Sequence, residues 1–338
     1  MGTAAIVLAA GAGTRMKSKR PKVAHEMLGK PLVNWVIDAA EAAGVEKIVS
    51  VVGHLREQVE PLVRGKSEIA IQYEQSGTAD AVLTCRDAFD GFKGSLLVLS
   101  GDSPLITSET MSALVNMREE NDAAVVVLTM RLDNPFGYGR IIRDASGQVE
   151  RIVEQKDASP EEAAVNECNS GFYCFDAEAL FDALTQVGSD NAQGEFYLTD
   201  VLEICRRAGR AVMALQASDN TECLGINSRI QLAEATRIAQ QRINAAHMAA
   251  GVTMTDPNQV WIGPDVTIAQ DVELLPQVFL MGNTQVGEDS LIGPSTRLTD
   301  TRVGCKCVLD EVIAQGAQFE DGTVIAPLCE ENSWIKRA

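Results

Sequence analysis

Short aliphatic runs alternate with stretches of helical periodicity over roughly the first 225 residues of the chain. Short continuous apolar runs predict buried strands, and apolar residues that recur every third or fourth position predict amphipathic helices. The predicted strands are 4–9, 47–52, 68–73, 95–100, 123–130, 139–143 and 148–154, and the predicted helices are 31–44, 79–89 and 108–119. This alternation is typical of an α/β fold in which a mostly parallel, Rossmann-like sheet carries helices on both faces. The last three strands, with a hairpin turn at 144–147, predict a mixed-sheet extension over a pocket.

The pattern changes after a long helical stretch at 228–250, which Ser228 caps and Gly251 ends. Aliphatic residues then recur at every sixth position, and the residues four positions after them form a second series. The first series is Ile262, Ile268, Leu274, Leu280, Val286, Ile292 and Leu298, and the second is Val266, Val272, Val278, Thr284, Ser290 and Thr296. A period of six predicts a triangular parallel β-helix with one inward residue on each short face. The phase then slips, with Val303 and Leu309 in one phase and Ile313, Phe319 and Ile325 in another, so we expect about four coils.

The length of 338 residues exceeds one typical domain. The change of period divides the chain into an α/β domain at 1–227, a linker helix at 228–250, a β-helix at 251–330 and a loose tail at 331–338. Acidic residues outnumber basic ones, 47 to 29, which gives a formal net charge of −18. Nucleic acid and anionic membranes attract basic surfaces, so neither is expected as a partner. No apolar run reaches the roughly 18 residues of a membrane span.

Eight cysteines are scattered along the chain without a C-x-x-C pair, at positions 85, 168, 174, 205, 223, 305, 307 and 329. They are expected to be small buried side chains of a protein in the reducing cytoplasm. Cys305 and Cys307 have no second pair of ligands nearby, so a metal site is not expected there. The histidines, His25, His54 and His247, are expected to be structural or exposed to solvent.

A glycine-rich turn and a cluster of cations follow the first predicted strand. Residues 8–16 read LAAGAGTRM, and glycines allow successive backbone N–H groups to approach phosphate oxygens. The turn has no G-K-[ST] of a Walker loop, and Met16 stands where the dinucleotide fingerprint has its third glycine. Five of the eight residues at 15–22 are basic, which favours a triphosphate clamp over a solvated charged loop. In such a clamp Arg15 can hold a phosphate with two N–H groups, and Lys22 supplies a point charge.

A second candidate is Asp102, which follows the apolar run at 96–101. Ligands of open α/β sheets bind at the carboxyl ends of the strands. A carboxylate at this position can hold Mg²⁺ on a nucleotide phosphate. The alternative interpretation is an aspartate that only caps a turn.

Together and in order, these segments resemble the bacterial bifunctional N-acetylglucosamine-1-phosphate uridyltransferase/glucosamine-1-phosphate acetyltransferase family. The resemblance extends over nearly the whole chain, to about residue 330. Besides the loop, the Gly-Asp strand end and the hexapeptide repeats, it is carried by QYEQSGT at 72–78, NPFGYGR at 134–140, VEQKD at 153–157, NSG at 169–171, GEFYLTD at 194–200 and GIN at 225–227. It implies a nucleotidyltransferase domain with a mixed sheet, followed by a short left-handed parallel β-helix.

The resemblance also implies roles for individual residues. By position, Arg15, Lys22 and Asp102 would be catalytic, and Asp102 and Asn227 would bind the metal. The residues implied to bind the nucleotide are Leu8, Ala9, Ala10, Gly11, Gln72, Gly77, Thr78, Ser100 and Gly101. The residues implied to bind the sugar are Gly139, Glu154, Asn169 and Tyr197. Ser100 departs from the aromatic residue common in the family, so one nucleotide contact is expected to be weaker.

The implied reaction is transfer of UMP from UTP to N-acetylglucosamine-1-phosphate with release of pyrophosphate, using Mg²⁺, for cell-wall precursor synthesis in the cytoplasm. A phosphate oxyanion is already a nucleophile, so catalysis would consist of positioning and charge neutralisation without a protein base. The family's acetyltransferase activity belongs to a longer β-helix, so it is expected to be absent here. The resemblance further implies a homotrimer formed through the β-helix.

Two alternatives stay open. One is another sugar-1-phosphate nucleotidyltransferase, of the ADP-glucose or dTDP-glucose type, because some of these also carry a hexapeptide β-helix. The other is a non-catalytic scaffold of the same architecture. Such a scaffold would be marked by loss of the cationic loop or of the metal-binding aspartate, and both are present in this chain.

Overall fold

The computed structural model describes residues 2–326, which form two compact units. The first unit comprises residues 2–25 and 31–231, and the second comprises residues 26–30 and 232–326. Cys329 and the tail predicted at 331–338 lie outside the described residues. The domain limits taken from the sequence stay a prediction, since the observed division falls inside the long helix at 229–249.

A mixed sheet of nine strands forms the centre of the first unit, with β11-β7-β10-β6-β1-β4-β5 in order and a hairpin of β8 and β9 beside β10. The strands up to residue 231 are β1 (Gly2–Ala9), β2 (Glu26–Met27), β3 (Lys30–Pro31), β4 (Lys47–Val52), β5 (Glu68–Ile71), β6 (Gly94–Ser100), β7 (Val125–Arg131), β8 (Arg140–Arg143), β9 (Val149–Val153), β10 (Glu167–Asp176) and β11 (Val212–Gln216). The strands β1, β4, β5 and β6 are parallel, whereas β10 runs antiparallel to both β6 and β7. The predicted mixed α/β sheet is therefore confirmed.

Helices cover both faces of this sheet. The helices of the chain are α1 (Leu32–Ala42), α2 (Arg56–Val63), α3 (Thr78–Leu83), α4 (Ser108–Glu120), α5 (Pro160–Ala163), α6 (Ala177–Leu184), α7 (Asp200–Arg207) and α8 (Arg229–Ala249). Alternate residues of β1 enter two separate hydrophobic clusters, Ala4 and Ile6 in one and Ala5 and Val7 in the other. A strand buried on both faces has no polar alternation, which explains why β1 is a continuous apolar run.

One predicted helix is divided in the structure. The stretch 79–89 contains α3 and a separate 3₁₀ turn at Arg86–Phe89. The Thr84 hydroxyl donates a hydrogen bond of 2.7 Å to the Ala81 carbonyl, and such bonding to the preceding turn competes with helix continuation. The sequence periodicity does not register this local competition.

Three parallel sheets form the second unit and confirm the predicted β-helix. Its strands are β12 (Thr253–Met254), β13 (Val260–Ile262), β14 (Thr267–Ile268), β15 (Glu273–Leu274), β16 (Val278–Met281), β17 (Gln285–Val286), β18 (Leu291–Ile292), β19 (Arg297–Thr299), β20 (Arg302–Val303), β21 (Val308–Leu309), β22 (Ile313–Gln315), β23 (Gln318–Phe319) and β24 (Val324–Ile325). The sheets run β12-β15-β18-β21-β24, β13-β16-β19-β22 and β14-β17-β20-β23. Helix α8 packs against the first coil through Gln240 and Asn244, whose amides donate to the Val260 carbonyl at 2.8 and 2.9 Å.

The coils shorten toward the end of the described β-helix. Leu280 pairs with Ile262 and with Leu298, and each of these partners is 18 residues away along the chain. Leu298 then pairs with Ala314, which is only 16 residues further on. The inward assignment of Ile313 was therefore wrong, because Ile313 pairs with Arg297 and is 80% exposed. The shorter coil moves the inward position by one residue, and a small alanine takes it.

Candidate active site

The carboxyl ends of β1 and β6 lie side by side, since Leu8 pairs with Ser100 in these parallel neighbours. The Gly101 N–H donates to the Leu8 carbonyl at 3.0 Å. A Cβ at Gly101 would lie 2.9 Å from the same oxygen, so this close approach requires glycine. The glycine-rich turn after β1 and Asp102 after β6 therefore meet at the sheet edge where α/β proteins bind ligands.

The glycine-rich turn folds back onto Lys22. Gly13 has a φ of +60°, and a Cβ there would lie 2.6 Å from the Cβ of Lys22. Lys22 begins a 3₁₀ turn at Lys22–Ala24, whereas Arg15 is an exposed residue of the 3₁₀ turn at Thr14–Met16. The turn therefore brings Lys22 inward and leaves Arg15 at the surface.

Lys22, Asp102 and Asn227 converge at this edge. The Lys22 ammonium donates to Asn227 Oδ1 at 2.9 Å and forms an ion pair with Asp102 Oδ2. Asp102 Oδ1 accepts from the Ser103 hydroxyl at 3.2 Å, and the Asp102 carbonyl accepts from the Ile226 N–H at 2.9 Å. One carboxylate oxygen and one amide oxygen thus contact the same cationic nitrogen.

Gln72 has its amide orientation fixed by two acceptors. Its Nε2 donates to the Gly77 carbonyl at 3.0 Å and to Asp80 Oδ2 at 2.8 Å. A carbonyl and a carboxylate can only accept, so the nitrogen must face them and Oε1 remains the acceptor of this buried side chain. Gln75 Nε2 donates to the Ala10 carbonyl at 3.0 Å and so joins this segment to the glycine-rich turn.

Gly77 and Thr78 hold the 196–199 segment beside the predicted nucleotide residues. Gly77 has a φ of +126°, and a Cβ there would lie 2.3 Å from the Phe196 carbonyl oxygen. The Leu198 N–H donates to Thr78 Oγ1 at 3.0 Å. Glycine at position 77 is therefore required both for the backbone conformation and for the close contact.

Gly139, Glu154 and Asn169 form a second group. The Asn169 N–H donates to the Gly139 carbonyl at 2.9 Å, and a Cβ at Gly139 would lie 3.3 Å from Glu154 Oε1. The Thr199 hydroxyl donates to the same Oε1 at 3.5 Å. Burial raises the pKa of Glu154, and the nearby charge of Asp157 adds to the rise. Burial and the neighbouring carboxylates therefore disfavour the ionised form of Glu154.

A bulge in β10 connects the second group to β6. The pairing of β10 with β7 shifts register between Asn169 and Tyr173. The Asn169 amide is engaged on both sides, since Oδ1 accepts from the Gly171 N–H at 3.0 Å and Nδ2 donates to the Tyr173 hydroxyl at 2.7 Å. The Ser100 hydroxyl donates to the Gly171 carbonyl at 3.4 Å. Asn169 thus shapes the bulge besides facing Gly139.

The structure brings most of the predicted site residues into one ring of contacts along the sheet edge. The members joined by the contacts above are Leu8, Ala10, Lys22, Gln72, Gly77, Thr78, Ser100, Gly101, Asp102, Gly139, Glu154, Asn169 and Asn227. Tyr197 lies in the 196–199 segment, and its buried hydroxyl has no hydrogen-bond partner among residues 2–326. Ala9 is buried and Gly11 is exposed beside the turn. Arg15 is exposed, and its charge and that of Asp102 act in opposite directions on the pKa of the half-buried Tyr138 hydroxyl.

Some residues of this ring were missed in the sequence. Gln75 and Thr199 lie inside the segments QYEQSGT and GEFYLTD, so a signal existed for both. Asp80 lies two residues beyond the first of these segments, and no motif marked it. Its role follows only from its contact with Gln72.

The seven cysteines among residues 2–326 are free thiols, and burial raises the pKa of Cys223 to about 12. Within the same residues, no group of three or more His, Cys, Asp or Glu side chains is arranged to hold a metal ion. None of the helices in this part of the chain is both long enough and apolar enough to cross a bilayer.

Comparison with known proteins gives consistent matches. The nucleotidyl transferase family profile matches residues 4–261. The bifunctional protein GlmU of Lactobacillus johnsonii is 49% identical over 322 residues, covering 95% of this chain and 70% of that protein. The protein of the same name from Halalkalibacterium halodurans is 44% identical over 323 residues, covering 96% of this chain and 71% of that protein.

The α/β fold with its ligand edge, together with the matching profile, makes this chain a nucleotidyltransferase. The identity to these relatives extends far beyond that profile, into the β-helix. The chain belongs to the family of bifunctional GlmU proteins. The family resemblance and the enzyme class inferred from the sequence are thereby confirmed.

Proposed function

We propose that this nucleotidyltransferase transfers UMP from UTP to N-acetylglucosamine-1-phosphate, with Mg²⁺ as its cofactor. The observation that carries the proposal is the convergence of Lys22, Asp102 and Asn227 at the carboxyl edge of β1 and β6. A cation and two oxygen ligands at this edge are the groups that a metal-bound triphosphate requires. The ring of contacts around them supplies separate regions for a base and a sugar.

The donor set at this edge fits a hard divalent cation. Asp102 Oδ2 and Asn227 Oδ1 both contact the Lys22 ammonium, so one positive charge can reach both oxygens. Carboxylate and amide oxygens are the ligands that Mg²⁺ takes from proteins, commonly with few protein groups. When bound between Asp102 and Asn227, Mg²⁺ would neutralise charge on the phosphate oxygens. Lys22 is then the residue that contributes a point charge to a phosphate.

Gln72 is suited to select uracil. Its Oε1 is the amide's acceptor, and uracil presents an imide N–H where cytosine presents an unprotonated nitrogen. A purine is larger than uracil, so we propose that it fits this region less well. The contact of Gln75 with the Ala10 carbonyl holds the base region against the glycine-rich turn. We infer that UTP is preferred over CTP and over purine nucleotides.

The group around Glu154 is suited to a sugar. The Glu154 carboxylate accepts hydrogen bonds from hydroxyls, and the Tyr197 hydroxyl is buried without a protein partner among residues 2–326. Gly139 leaves free the space that a Cβ would fill next to Glu154. A carboxylate acceptor and a tyrosine hydroxyl are groups that can hydrogen-bond the hydroxyl and amide groups of N-acetylglucosamine.

The chemical step needs no protein nucleophile. An oxygen of the sugar phosphate forms a new bond to the α-phosphorus of UTP while the bond to the β-phosphate bridging oxygen breaks, and pyrophosphate leaves with that electron pair. The attacking oxyanion carries no proton that must be removed. The protein therefore aligns the two phosphates and balances their charge, which suits Lys22 and the oxygens of Asp102 and Asn227.

Pyrophosphate release tests this function. Purified protein is incubated with UTP, Mg²⁺ and N-acetylglucosamine-1-phosphate, and in parallel with glucose-1-phosphate and with ATP, CTP or dTTP. We expect fastest release with the first pair. Faster release with glucose-1-phosphate and ATP or dTTP would identify the ADP-glucose or dTDP-glucose alternative, and no release with any pair would favour the scaffold.

Two further expectations accompany this proposal. We propose assembly through the β-helix, where Trp261 stacks on Phe279 and Arg297 lies over the same Phe279 ring. Sedimentation at several concentrations distinguishes a trimer from a monomer.

Acetyl transfer is measured as thiol release from acetyl-CoA with glucosamine-1-phosphate, and its absence stays a prediction.

A further inference from the structure

We propose that His25 is a positioning residue, which holds Arg229 and thereby keeps Lys22 and Asn227 in register. The inference rests on the proposed function, because that function gives Lys22 and Asn227 their roles. His25 itself is buried and does not belong to the predicted site. Its effect would pass through Arg229.

Two side-chain contacts join the same two segments of the chain. Lys22 donates to Asn227 at 2.9 Å, and three residues later His25 Nδ1 lies 3.3 Å from Arg229 Nη1. The two contacts therefore cross-link residues 22–25 to residues 227–229. A shift of one segment relative to the other would disturb both contacts.

Each of the two cross-linked segments also has hydrogen bonds of its own. The His25 N–H donates to the Lys22 carbonyl at 3.2 Å, and the His25 carbonyl accepts from the Leu32 N–H at 2.9 Å. On the other side, Gln231 Oε1 accepts from the Asn227 N–H at 2.9 Å. Local hydrogen bonds therefore hold each segment, and the two side-chain contacts link one segment to the other.

The chemistry of the contact determines the form of the imidazole. A guanidinium has only donors, so His25 Nδ1 must accept, and the proton of the neutral ring resides on Nε2. Burial lowers the pKa of His25, and the positive charges of Arg229 and Arg20 lower it further. The neutral imidazole with its proton on Nε2 is therefore the form that holds Arg229.

The burial of His25 leaves one polar atom unpaired, and good packing alone would not favour a histidine at this position. His25 Nε2 is buried and has no hydrogen-bond partner among residues 2–326. A buried donor without a partner destabilises a fold, and an apolar side chain of similar size would avoid this cost. The acceptor at Nδ1 is what a histidine provides here and a leucine does not.

The first test compares two substitutions of His25. His25→Asn places an amide oxygen as many bonds from Cβ as Nδ1 and keeps an acceptor for Arg229, whereas His25→Leu removes the acceptor. We expect His25→Leu to lower kcat by about 10- to 100-fold, with a smaller change in KM, because misplaced charges act mainly in the transition state. His25→Asn should restore kcat to within a few-fold of wild type. His247→Asn serves as the matched control.

A double-mutant cycle supplies a second measurement. Arg229→Met removes the guanidinium but keeps an apolar stem, and His25→Leu with Arg229→Met should be no slower than the slower single variant. Additive losses in kcat would overturn the proposal, as would equal kcat in His25→Leu and His25→Asn. Circular dichroism and melting curves verify that each variant is folded.

A third measurement does not depend on activity. In protein labelled with ¹⁵N-histidine, the His25 resonances should show the Nε2–H tautomer and should move in Arg229→Met, while those of His54 and His247 stay in place. An Nδ1–H tautomer would overturn the inference. If wild-type protein releases no pyrophosphate, the proposed function fails, whereas this spectrum still reports the contact, so the two failures are distinguishable.

Discussion

The ammonium nitrogen of Lys22 lies 2.9 Å from Asn227 Oδ1, although 205 residues separate the two in the chain. The same nitrogen forms an ion pair with Asp102, so three distant segments meet at one cation. If this cluster binds phosphate, as we propose, the positions of its three side chains are set by the fold before any substrate binds. Substitution of any one of these three side chains would therefore test the proposed site directly.

Removal of the Asp102 carboxylate should abolish most of the turnover. We expect Asp102→Ala to lower kcat by about 10²- to 10³-fold, because charge stabilisation in the transition state is lost. Folding should be preserved, since Asp102 lies at the end of β6 and is partly exposed. Pyrophosphate release and circular dichroism are measured together. The exposed Asp90→Ala is the control, and retained activity in Asp102→Ala would remove Asp102 from the site.

Asp80 should control the choice of base without contacting it. In Asp80→Asn the partner of Gln72 becomes able to donate, so the Gln72 amide can turn and present its nitrogen to the base. We expect the preference for UTP over CTP in kcat/KM to fall by about tenfold, as for loss of one oriented hydrogen bond. Asp87→Asn, on an exposed 3₁₀ turn, is the control. An unchanged UTP/CTP ratio would contradict the role given to Gln72.

Gly77 should be intolerant of any side chain. In Gly77→Ala the Cβ would lie 2.3 Å from the Phe196 carbonyl oxygen at a φ of +126°. We expect a loss of about 3 kcal/mol or more from strain and overpacking combined. Gly65→Ala shares a positive φ but has open space around its Cβ, so it should lose only about 1–2 kcal/mol. Equal denaturation midpoints for the two variants would show that the contact with Phe196 does not matter.

Glu154 should be a source of instability at neutral pH. Its pKa is raised by burial, so the folded protein binds the proton more tightly than the unfolded chain does. Ionisation of Glu154 therefore favours unfolding. The free energy of unfolding falls as the pH rises from the usual pKa of glutamate through the raised pKa of Glu154. Glu154→Gln should melt at a higher temperature than wild type above that window and at the same temperature below it.

The same Glu154→Gln variant should raise KM for the sugar phosphate, because a neutral amide is a weaker acceptor for sugar hydroxyls. Glu120→Gln, at the exposed end of α4, is the control for the melting curves. A difference in melting temperature that is constant from acid to neutral pH would contradict the assignment to Glu154 ionisation.

The shortened coil predicts opposite outcomes at two neighbouring strands. Leu298 is fully buried, so Leu298→Ala should destabilise the β-helix by about 2–5 kcal/mol. Ile313 is 80% exposed, so Ile313→Ala should change stability by less than about 0.5 kcal/mol. Denaturant unfolding of the two variants provides the comparison. A large loss in Ile313→Ala would show that Ile313 points inward in solution.

Much of the architecture follows from the sequence because its signals are local and periodic. The run that becomes β1, the apolar spacing of α1 and the sixfold period from Ile262 to Leu298 each repeat a single physical requirement, burial of one face. Ile313 was misassigned because one shortened coil breaks that repeat, and only strand pairing shows which residue turns inward. The divided helix at 79–89 was missed for a similar reason, since a single threonine hydroxyl decides it.

The amino-acid sequence was sufficient to predict the fold class, the glycine-rich turn and, through the family resemblance, the set of residues worth testing. Only the packing of the elements shows that Lys22 meets Asp102 and Asn227. It also decided that Asp80 orients Gln72 and that His25 contacts Arg229, for which no motif gave a signal. The physical reason is that periodicity reports burial along one element, whereas hydrogen bonds between segments far apart in the chain depend on how the elements pack.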